Sequence, residues 1–353
     1  MKIRHCRRTW LFIALFCGVC AALLPFSFAA HDRPALRVLA WEGYADADVV
    51  AAFRQREDVA VEVTYVDSDD DLWQKMAAHQ GRDFDVFAVN TAELQRYIDH
   101  RLSAPLDPAR LVNRAQQLPR FRDYAAIPGL SRDGKTYAAP YAYAAMGLIY
   151  NRKSVAIPPQ SIDALWAPAY RGKVLLYDTS NHNFSLAGQY LGVADIFRMT
   201  PAEMNRAAGA LIDLRRNALG FYSTVEEAVD LFQRHDVAIL FANFGEQQVK
   251  ALRDAGADIG YVLPREGALA WLDCWSISAG ARDRALAERW IDFTLERPNS
   301  ERLTSLHGLA NTVSASPPVN AAEKLLWLRP LEDPAQRLRL WRRIVSGVSA
   351  VNG

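Results

Sequence analysis

Apolar and polar residues alternate between residues 36 and 99 in two different periods, one typical of strands and one typical of helices. Residues 59–66 place Val59, Val61 and Val63 at every second position, which predicts a strand with one buried face. Residues 84–89 are nearly all apolar, as in a strand buried on both faces of a parallel sheet. The pattern predicts strands over 36–40, 59–66 and 84–89 and helices over 47–57, 69–80 and 91–99. This alternating order predicts a doubly wound α/β lobe.

A second series of such segments begins near residue 174. It comprises strands over 174–177, 237–241, 259–263 and 275–277 and helices over 185–191, 201–215, 225–234, 243–255 and 284–295. Two α/β lobes leave a cleft between them, and open α/β sheets bind ligands at the carboxyl ends of their strands. The candidate ligand-binding segments are therefore those that follow strands, namely 41–44, 90–91, 178–183, 241–246 and 271–273.

The first residues of the chain have the pattern of a secretory signal peptide. A basic start precedes an apolar run over 10–24, and Ser27-Phe28-Ala29 forms a small-x-small cleavage site. The apolar run is shorter than the roughly 20 residues that a membrane-spanning helix needs. This length favours a cleaved signal over 1–29 above an uncleaved anchor, and lipidation at Cys17 or Cys20 is a minor alternative. The sequence thus predicts a periplasmic protein.

Composition narrows the range of functions. Without residues 1–29 the chain carries 37 basic and 40 acidic residues, so it lacks the excess of basic residues expected of a nucleic-acid-binding protein. Cys274 is the only cysteine that remains, and the histidines lack metal-ligand spacing, so we expect no disulfide, metal or cofactor. No G-x-S-x-G motif or Gly-rich phosphate loop occurs, which predicts a protein that is not an enzyme. A triad of His182, Asp178 and Ser185 and a nucleophilic Cys274 are weaker alternatives.

The candidate ligand-binding segments combine aromatic and acidic residues. The aromatic ones are Trp41, Tyr44, Phe184, Phe241, Phe244 and Trp271, and the acidic ones are Glu42, Asp178, Glu246 and Asp273. Aromatic faces attract an ammonium group, and carboxylates offer it charge-assisted hydrogen bonds, so this combination suits an organic cation. A tryptophan is in general more often part of the core, and Asp178 and Glu246 also stand where a turn or a helix start favours an acid.

Six short stretches form a joint pattern over roughly residues 36 to 345. They are residues 39–44 (LAWEGY), 83–86 (DFDV), 139–141 (APY), 165–173 (LWAPAYRGK), 264–268 (PREGA) and 271–273 (WLD). In these stretches the chain resembles the periplasmic spermidine/putrescine-binding proteins, the polyamine branch of the bacterial extracellular solute-binding proteins. The resemblance implies a two-lobed α/β periplasmic-binding-protein fold, in which each lobe is a doubly wound sheet and the ligand cleft lies between the lobes. It implies a first lobe of 36–139 plus 264–318, a second of 140–263 plus 319–353, and a hinge near Pro140 and Pro264.

The resemblance also implies a function and a set of site residues. The chain is expected to be the monomeric substrate-binding subunit of an ABC importer, with a membrane permease and an ATPase as partners. Trp41 and Tyr44 are expected to wall an amine channel, Trp271 to stack on the ligand and Asp273 to bind an ammonium group.

Four further site positions depart from the family pattern. Asn90 stands where the family often has a serine, and Phe241 stands where it has a tryptophan. Thr179 and His182 stand where polyamine binders place acids for the other amines of the ligand. This sequence therefore keeps the Trp271 end of an amine site and changes its distal end.

The changed distal end leaves the identity of the ligand open. A buried ammonium without a carboxylate would cost several kcal/mol, unless Glu42 or Asp178 supplies the charge. The ligand is predicted to be a small amine such as putrescine or spermidine. The alternative is an ω-amino acid, another amino acid or a monoamine whose second polar group meets His182 or Asn183. A secreted hydrolase is less favoured, because the sequence shows no ordered pair of nucleophile and base. A ferric-ion binder is also less favoured, because it would need adjacent tyrosines and residues 221–223 offer a single one.

Overall fold

The computed structural model describes residues 35–315 and 324–347, so the predicted signal peptide over 1–29 lies outside the described residues. The strands are β1 (Ala35–Trp41), β2 (Ala60–Val66), β3 (Val86–Asn90), β4 (Ser103–Ala104), β5 (Ser131–Arg132), β6 (Lys135–Thr136), β7 (Ala138–Asn151), β8 (Val174–Tyr177), β9 (Ala218–Tyr222), β10 (Ile239–Ala242), β11 (Ile259–Val262), β12 (Ala268–Ser278), β13 (Ala310–Asn311) and β14 (Leu325–Trp327). The α-helices are α1 (Ala47–Glu57), α2 (Asp69–Ala78), α3 (Thr91–Asp99), α4 (Pro119–Arg122), α5 (Ser180–Tyr190), α6 (Pro201–Asn217), α7 (Val225–Arg234), α8 (Glu246–Asp254), α9 (Arg284–Thr294), α10 (Arg297–His307) and α11 (Pro334–Ser346). Among these described helices, none is long and apolar enough to cross a membrane.

Two long antiparallel strands, β7 and β12, form the centre of the sheet. Their pairing runs from Leu269 opposite Met146 to Ser276 opposite Ala138. The register shifts between Asp273 and Cys274, where the partner changes from Ala142 to Pro140 and leaves one extra residue in β7. Proline has no N–H to give to a ladder, so a bulge is one of the few places where a central strand accepts it. The bulge lies directly beside Asp273.

A set of parallel strands flanks each side of this central pair. The order across the sheet is β2-β1-β3-β12-β7-β10-β8-β9. Strands β1, β2 and β3 are parallel to one another, as are β8, β9 and β10, and each set joins the central pair through an antiparallel contact. The described strands therefore form two α/β halves that share the long strands β7 and β12.

Buried apolar side chains form three clusters. The first cluster surrounds β1, β3 and α9 and includes Phe53, Trp275 and Trp290, each with no exposed surface. The second and third clusters lie on opposite faces of β8 and β10, so Leu176 belongs to the second and Leu175 to the third. Each half therefore has a core of its own. Full burial of one large apolar side chain contributes about 1.5–3 kcal/mol to such a core.

Strand β7 passes from one core to the other within two residues. Ala145 belongs to the first cluster and Met146 to the second. The structure thus places residues up to 145 with the first core, whereas the sequence pattern put the change of lobe near Pro140. The lobe boundaries and the hinge near Pro140 and Pro264 stay predictions.

Most predicted elements match the structure closely, but β9 and α10 were not predicted, β12 is much longer than the strand predicted over 275–277, and two further elements differ. Helices α1, α3 and α7 and strand β8 have the predicted bounds. Helix α5 begins at Ser180 instead of residue 185, because its first turn is polar and shows no apolar period. Strand β7 was not predicted, because its alanines, proline and glycine have low strand propensity and only its partners hold it extended.

A buried ion pair joins strand β1 to the residue that precedes strand β3. Arg37 of β1 and Asp85, just before β3, are 7% and 1% exposed. The guanidinium donates to both carboxylate oxygens at 3.0 and 2.7 Å, and the backbone N–H groups of Arg37 and Arg282 donate to the same carboxylate. Burial raises the pKa of Asp85, but these hydrogen bonds outweigh it and leave the pKa below its usual value. The pair therefore stabilises the fold above the unfolded pKa, and this contribution is lost as the pH falls through the folded pKa.

Replacing one partner of this pair is expected to be costly. Asp85→Asn leaves the Arg37 charge buried and unpaired, so we expect the free energy of unfolding to fall by about 3–5 kcal/mol. The matched control is Asp213→Asn, whose exposed pair with Arg216 at 2.7 Å should contribute less than about 1 kcal/mol. Denaturant titration followed by circular dichroism measures both, and equal losses in the two variants would contradict the prediction.

Candidate functional site

The strand ends of the first parallel set meet at one edge of the sheet. Strand β1 ends at Trp41 and β3 at Asn90, and Asp273 of β12 lies directly opposite Asn90. The turn after β1 brings Tyr44 back to this edge, where its ring meets that of Tyr141 edge-on with centroids 5.3 Å apart. Four of the predicted site residues therefore lie together, and the register of the sheet explains why.

Asp273 is the most enclosed acid at this edge. Its side chain is 8% exposed, and the Tyr44 hydroxyl donates to Oδ2 at 2.6 Å. Burial raises the pKa of Asp273 to about 7, while the hydrogen bond from Tyr44 acts in the opposite direction. The Oδ1 atom forms no hydrogen bond with any described residue. One carboxylate oxygen thus stays available to another donor.

A second carboxyl, that of Asp69, stands beside it at the start of α2. The Asn90 amide donates to Oδ1 of Asp69 at 3.0 Å, while its own oxygen accepts two backbone N–H groups and caps α3. The surrounding protein, together with the negative charges of Glu93, Asp273 and Asp70, raises the pKa of Asp69 to about 8. Water still reaches the Asp69 side chain. Asn90 is thus a capping residue that also orients an acid.

These two acids lack a cation. Within residues 35–315 and 324–347, no basic side chain lies within 4.0 Å of Asp69 or Asp273. Nearby, Nε1 of Trp41 is buried and has no hydrogen-bond partner among the same residues. Asp273 is a buried carboxyl with no counterion and the exposed Asp69 adds a second negative charge next to it, so this edge favours a bound cation, because burial of unpaired negative charge is costly.

The opposite wall comes from the second half of the molecule. The rings of Tyr177, at the end of β8, and His182, in the first turn of α5, stack with centroids 6.1 Å apart. Nδ1 of His182 lies 2.6 Å from Oδ1 of Asn243, and Nε1 of Trp271 donates to the Asn243 carbonyl at 3.0 Å. Burial raises the pKa of Tyr177, and the negative charges of Asp69 and Asp178 act in the same direction. The hydrogen bond from Trp271, a residue of β12, joins this wall to the central strands.

The C-terminal helix holds this second wall from behind. Arg337 of α11 has no exposed surface, and its guanidinium uses all five N–H groups. Two bonds go to Glu332, and the others go to the Asn181 carbonyl at 3.0 Å, the Ser185 hydroxyl at 2.8 Å and the Ile196 carbonyl at 2.9 Å. This contact fixes the turn of α5 that carries His182.

The structure places four other predicted or candidate residues differently. Phe241 is 1% exposed inside the second cluster, so we expect its ring to support the wall from within. Thr179 precedes α5 without a side-chain capping bond, and Glu42 is exposed. Oδ1 of Asp178 accepts a hydrogen bond from Trp341 at 2.8 Å, so this acid is engaged with α11.

Sequence reasoning missed two polar residues of this region, Asp69 and Asn243, and gave a third acid, Glu246, a different role. Asp69 follows β2, a parallel strand whose carboxyl end was left out of the candidate segments although the same rule covers it. Asn243 lay in a candidate segment but was not singled out. Glu246 was interpreted as a helix-start acid, yet both of its carboxylate oxygens are buried without a described partner, and burial raises its pKa to about 7.

Comparison with protein families places this arrangement in a known context. A family model described as "Bacterial extracellular solute-binding protein" matches residues 48–325. The spermidine/putrescine-binding periplasmic protein of Escherichia coli (strain K12) is 25% identical over 303 residues, which cover 84% of this chain and 82% of that protein. The putrescine-binding periplasmic protein PotF of the same organism is 25% identical over 375 residues, covering 96% and 98%.

Solved structures share the fold. The spermidine/putrescine ABC transporter substrate-binding protein PotD from Streptococcus pneumoniae, in complex with calcium and HEPES, superposes with a TM-score of 0.74 at 19% identity. The alignment covers 90% of this chain and all of that one. This likeness confirms the predicted two-lobed α/β fold of periplasmic binding proteins.

The hydrogen bond between Tyr44 and Asp273 makes a direct prediction about ionisation. Tyr44→Phe removes a donor that stabilises the charged carboxylate, so the titration midpoint of Asp273 should move from about 7 to about 8–9. Carbon-13 NMR of the aspartate carboxyls measures it, with the resonance assigned by its loss in Asp273→Asn. Tyr65→Phe is the control, because the Tyr65 hydroxyl donates to the Ala45 carbonyl instead. An unchanged midpoint in Tyr44→Phe would show that the bond does not tune this acid.

Proposed function

Because the chain belongs to the bacterial extracellular solute-binding proteins, we propose that it is the periplasmic substrate-binding subunit of an ABC importer for a small amine. The proposed ligand is putrescine, spermidine or a close analogue, which the protein delivers to a membrane permease coupled to an ATPase. Relatives named for spermidine and putrescine support this class of ligand. The observation that carries the proposal is the pair of carboxyls, Asp69 and Asp273, without a basic partner among the described residues.

An ammonium group fits this end of the site for electrostatic reasons. It can donate to the open Oδ1 of Asp273 while Tyr44 holds Oδ2, and it offsets the negative charge that raises the pKa of Asp69. Trp41 and Trp271 supply aromatic faces, which attract a cation through the ring quadrupole. Asp69 takes the place of the second acid that the sequence pattern sought in Glu42 or Asp178.

Binding is proposed to select a closed arrangement of the two lobes. Asp273 and Asp69 belong to the first half of the sheet, and Tyr177 and His182 to the second, so a ligand that contacts both sets favours the closed form. The hydrogen bond from Trp271 to the Asn243 carbonyl already links the central strand to the second wall. Bending is proposed near Pro140 and Pro264, and the permease is proposed to recognise the closed form.

A zwitterionic amine, such as an ω-amino acid, is the second candidate ligand. It is favoured by the second wall, where Thr179 and His182 stand in place of acids, and where His182 and Asn243 offer uncharged hydrogen-bonding groups. The amine end of such a ligand would occupy the same acids, so the two candidates differ only at the distal group.

Ligand stabilisation tests the proposal directly. A thermal-shift titration of residues 30–353 with putrescine and spermidine should raise the melting temperature with concentration, since a ligand at 100 times its Kd adds about 2.7 kcal/mol. Asp273→Asn should weaken binding by roughly 30-fold or more, because the buried ammonium loses its carboxylate. Asp213→Asn, in an exposed pair with Arg216, is the control and should bind as the unmodified protein does. No shift with any amine, or undiminished binding by Asp273→Asn, would refute the proposal.

The ionisation of the two acids predicts a pH dependence. The pKa values of Asp69 and Asp273 are about 8 and about 7, with Glu93 and Asp70 facing Asp69, so at pH 6 both carboxyls are mainly protonated. A cation binds the ionised forms, so putrescine affinity should rise about tenfold or more between pH 6 and 8.5. Binding should also release protons, which calorimetry in buffers of different ionisation enthalpy measures. Asp69→Asn should flatten the upper part of this profile, and a flat profile in the unmodified protein would contradict the prediction.

A further inference from the structure

The His182 ring has a defined hydrogen-bond direction. Its Nδ1 lies 2.6 Å from Oδ1 of Asn243, and an amide oxygen can only accept. The proton of Nδ1 therefore points to Asn243. In the uncharged ring the other nitrogen, Nε2, then carries a lone pair and no proton.

The surroundings keep this ring uncharged. Burial lowers the pKa of His182 to about 4, the bond to Asn243 acts upward, and the positive charge of Arg337 lowers it further. Arg337 donates to the Asn181 carbonyl and the Ser185 hydroxyl, on either side of His182 in sequence, so its charge is fixed there. The ring is thus uncharged throughout the neutral range of pH.

Nε2 is the free end of this ring. It forms no hydrogen bond with any residue in 35–315 or 324–347. The face of the ring lies against Tyr177, which is close enough to Asp69 for the two to interact electrostatically. Asn243 in turn accepts from Trp271, two residues before Asp273 in β12. His182 therefore stands on the wall opposite the two acids.

Resting on the proposed function, we propose that Nε2 of His182 accepts a hydrogen bond from the distal group of the bound amine. A distal ammonium or hydroxyl group can donate to a lone pair, whereas a distal carboxylate would set its own lone pairs against it. The wall formed by His182 and Asn243 thus selects diamines and amino alcohols and rejects ω-amino acids. This geometry decides between the two candidate ligand classes.

Four ligands with the same four-carbon chain isolate the distal group. They are putrescine, 4-aminobutan-1-ol, butylamine and 4-aminobutanoate, measured by calorimetry at pH 7.5. We expect putrescine and the amino alcohol to bind at least about tenfold tighter than butylamine, and 4-aminobutanoate to bind at least about 100-fold weaker than the alcohol. Binding of 4-aminobutanoate as tight as that of the alcohol overturns the inference while leaving an amine receptor intact. Absence of binding by all four and by spermidine overturns both.

Two variants test the role of the histidine itself. His182→Phe keeps a ring against Tyr177 but removes the lone pair, so the alcohol and butylamine should bind within about threefold of each other. Asn243→Asp places a carboxylate at Nδ1, which favours the imidazolium and turns Nε2 into a donor. That variant should gain affinity for 4-aminobutanoate by about tenfold or more and lose affinity for putrescine. A turned Asn243 amide would already give the reverse preference in the unmodified protein, and that result would also overturn the inference.

Discussion

The negative charge enclosed at the edge of the first parallel set is the constraint on which the site depends. Asp273 is nearly buried and Asp69 stands beside it, and no described cation pairs with either. Their pKa values are raised, so their ionisation costs stability, and this cost grows as the pH rises from the usual aspartate pKa of about 4 to the folded values of about 8 for Asp69 and about 7 for Asp273. A fold that relied only on its own contacts would pair or remove such acids. We therefore interpret these acids as part of the proposed binding site for an external cation.

The two walls of the site belong to different halves of the molecule, and each wall is held by its own contacts. The Arg37–Asp85 pair links β1 to the residue just before β3, and Asp273 lies beside the bulge and accepts a hydrogen bond from Tyr44. The opposite wall rests on a different core and is fixed by Arg337 from the C-terminal helix. Among the described strands, β7 and β12 run through both halves. We propose that this arrangement keeps the geometry of each wall constant while the distance between the walls changes.

The sequence predicted the scaffold better than the site. Strands and helices with a clear apolar period, such as α1 and α3, have the predicted bounds, and the strand-end rule located Trp41, Tyr44, Asn90 and Asp273 together. Local pattern cannot reveal the long-range neighbours of a side chain. Asp178 accepts a hydrogen bond from Trp341, which lies more than 150 residues away in the chain, and Phe241 packs inside the second core, while its contact with the ligand stays a prediction. Asp69 could have been found by applying the same rule to β2.

The two walls differ in charge, and that difference explains the substitution of acids by Thr179 and His182. Burial raises the pKa of both acids, and neighbouring negative charges raise that of Asp69 further, so a second carboxylate opposite them would add repulsion in the ligand-free protein. A neutral imidazole with a bare Nε2 still accepts from an amine without adding charge. The buried Arg337 beside α5 favours this uncharged state, because its positive charge opposes protonation of His182. In the proposed function the proximal acids therefore attract the cation, and the distal histidine discriminates between amines with different distal groups.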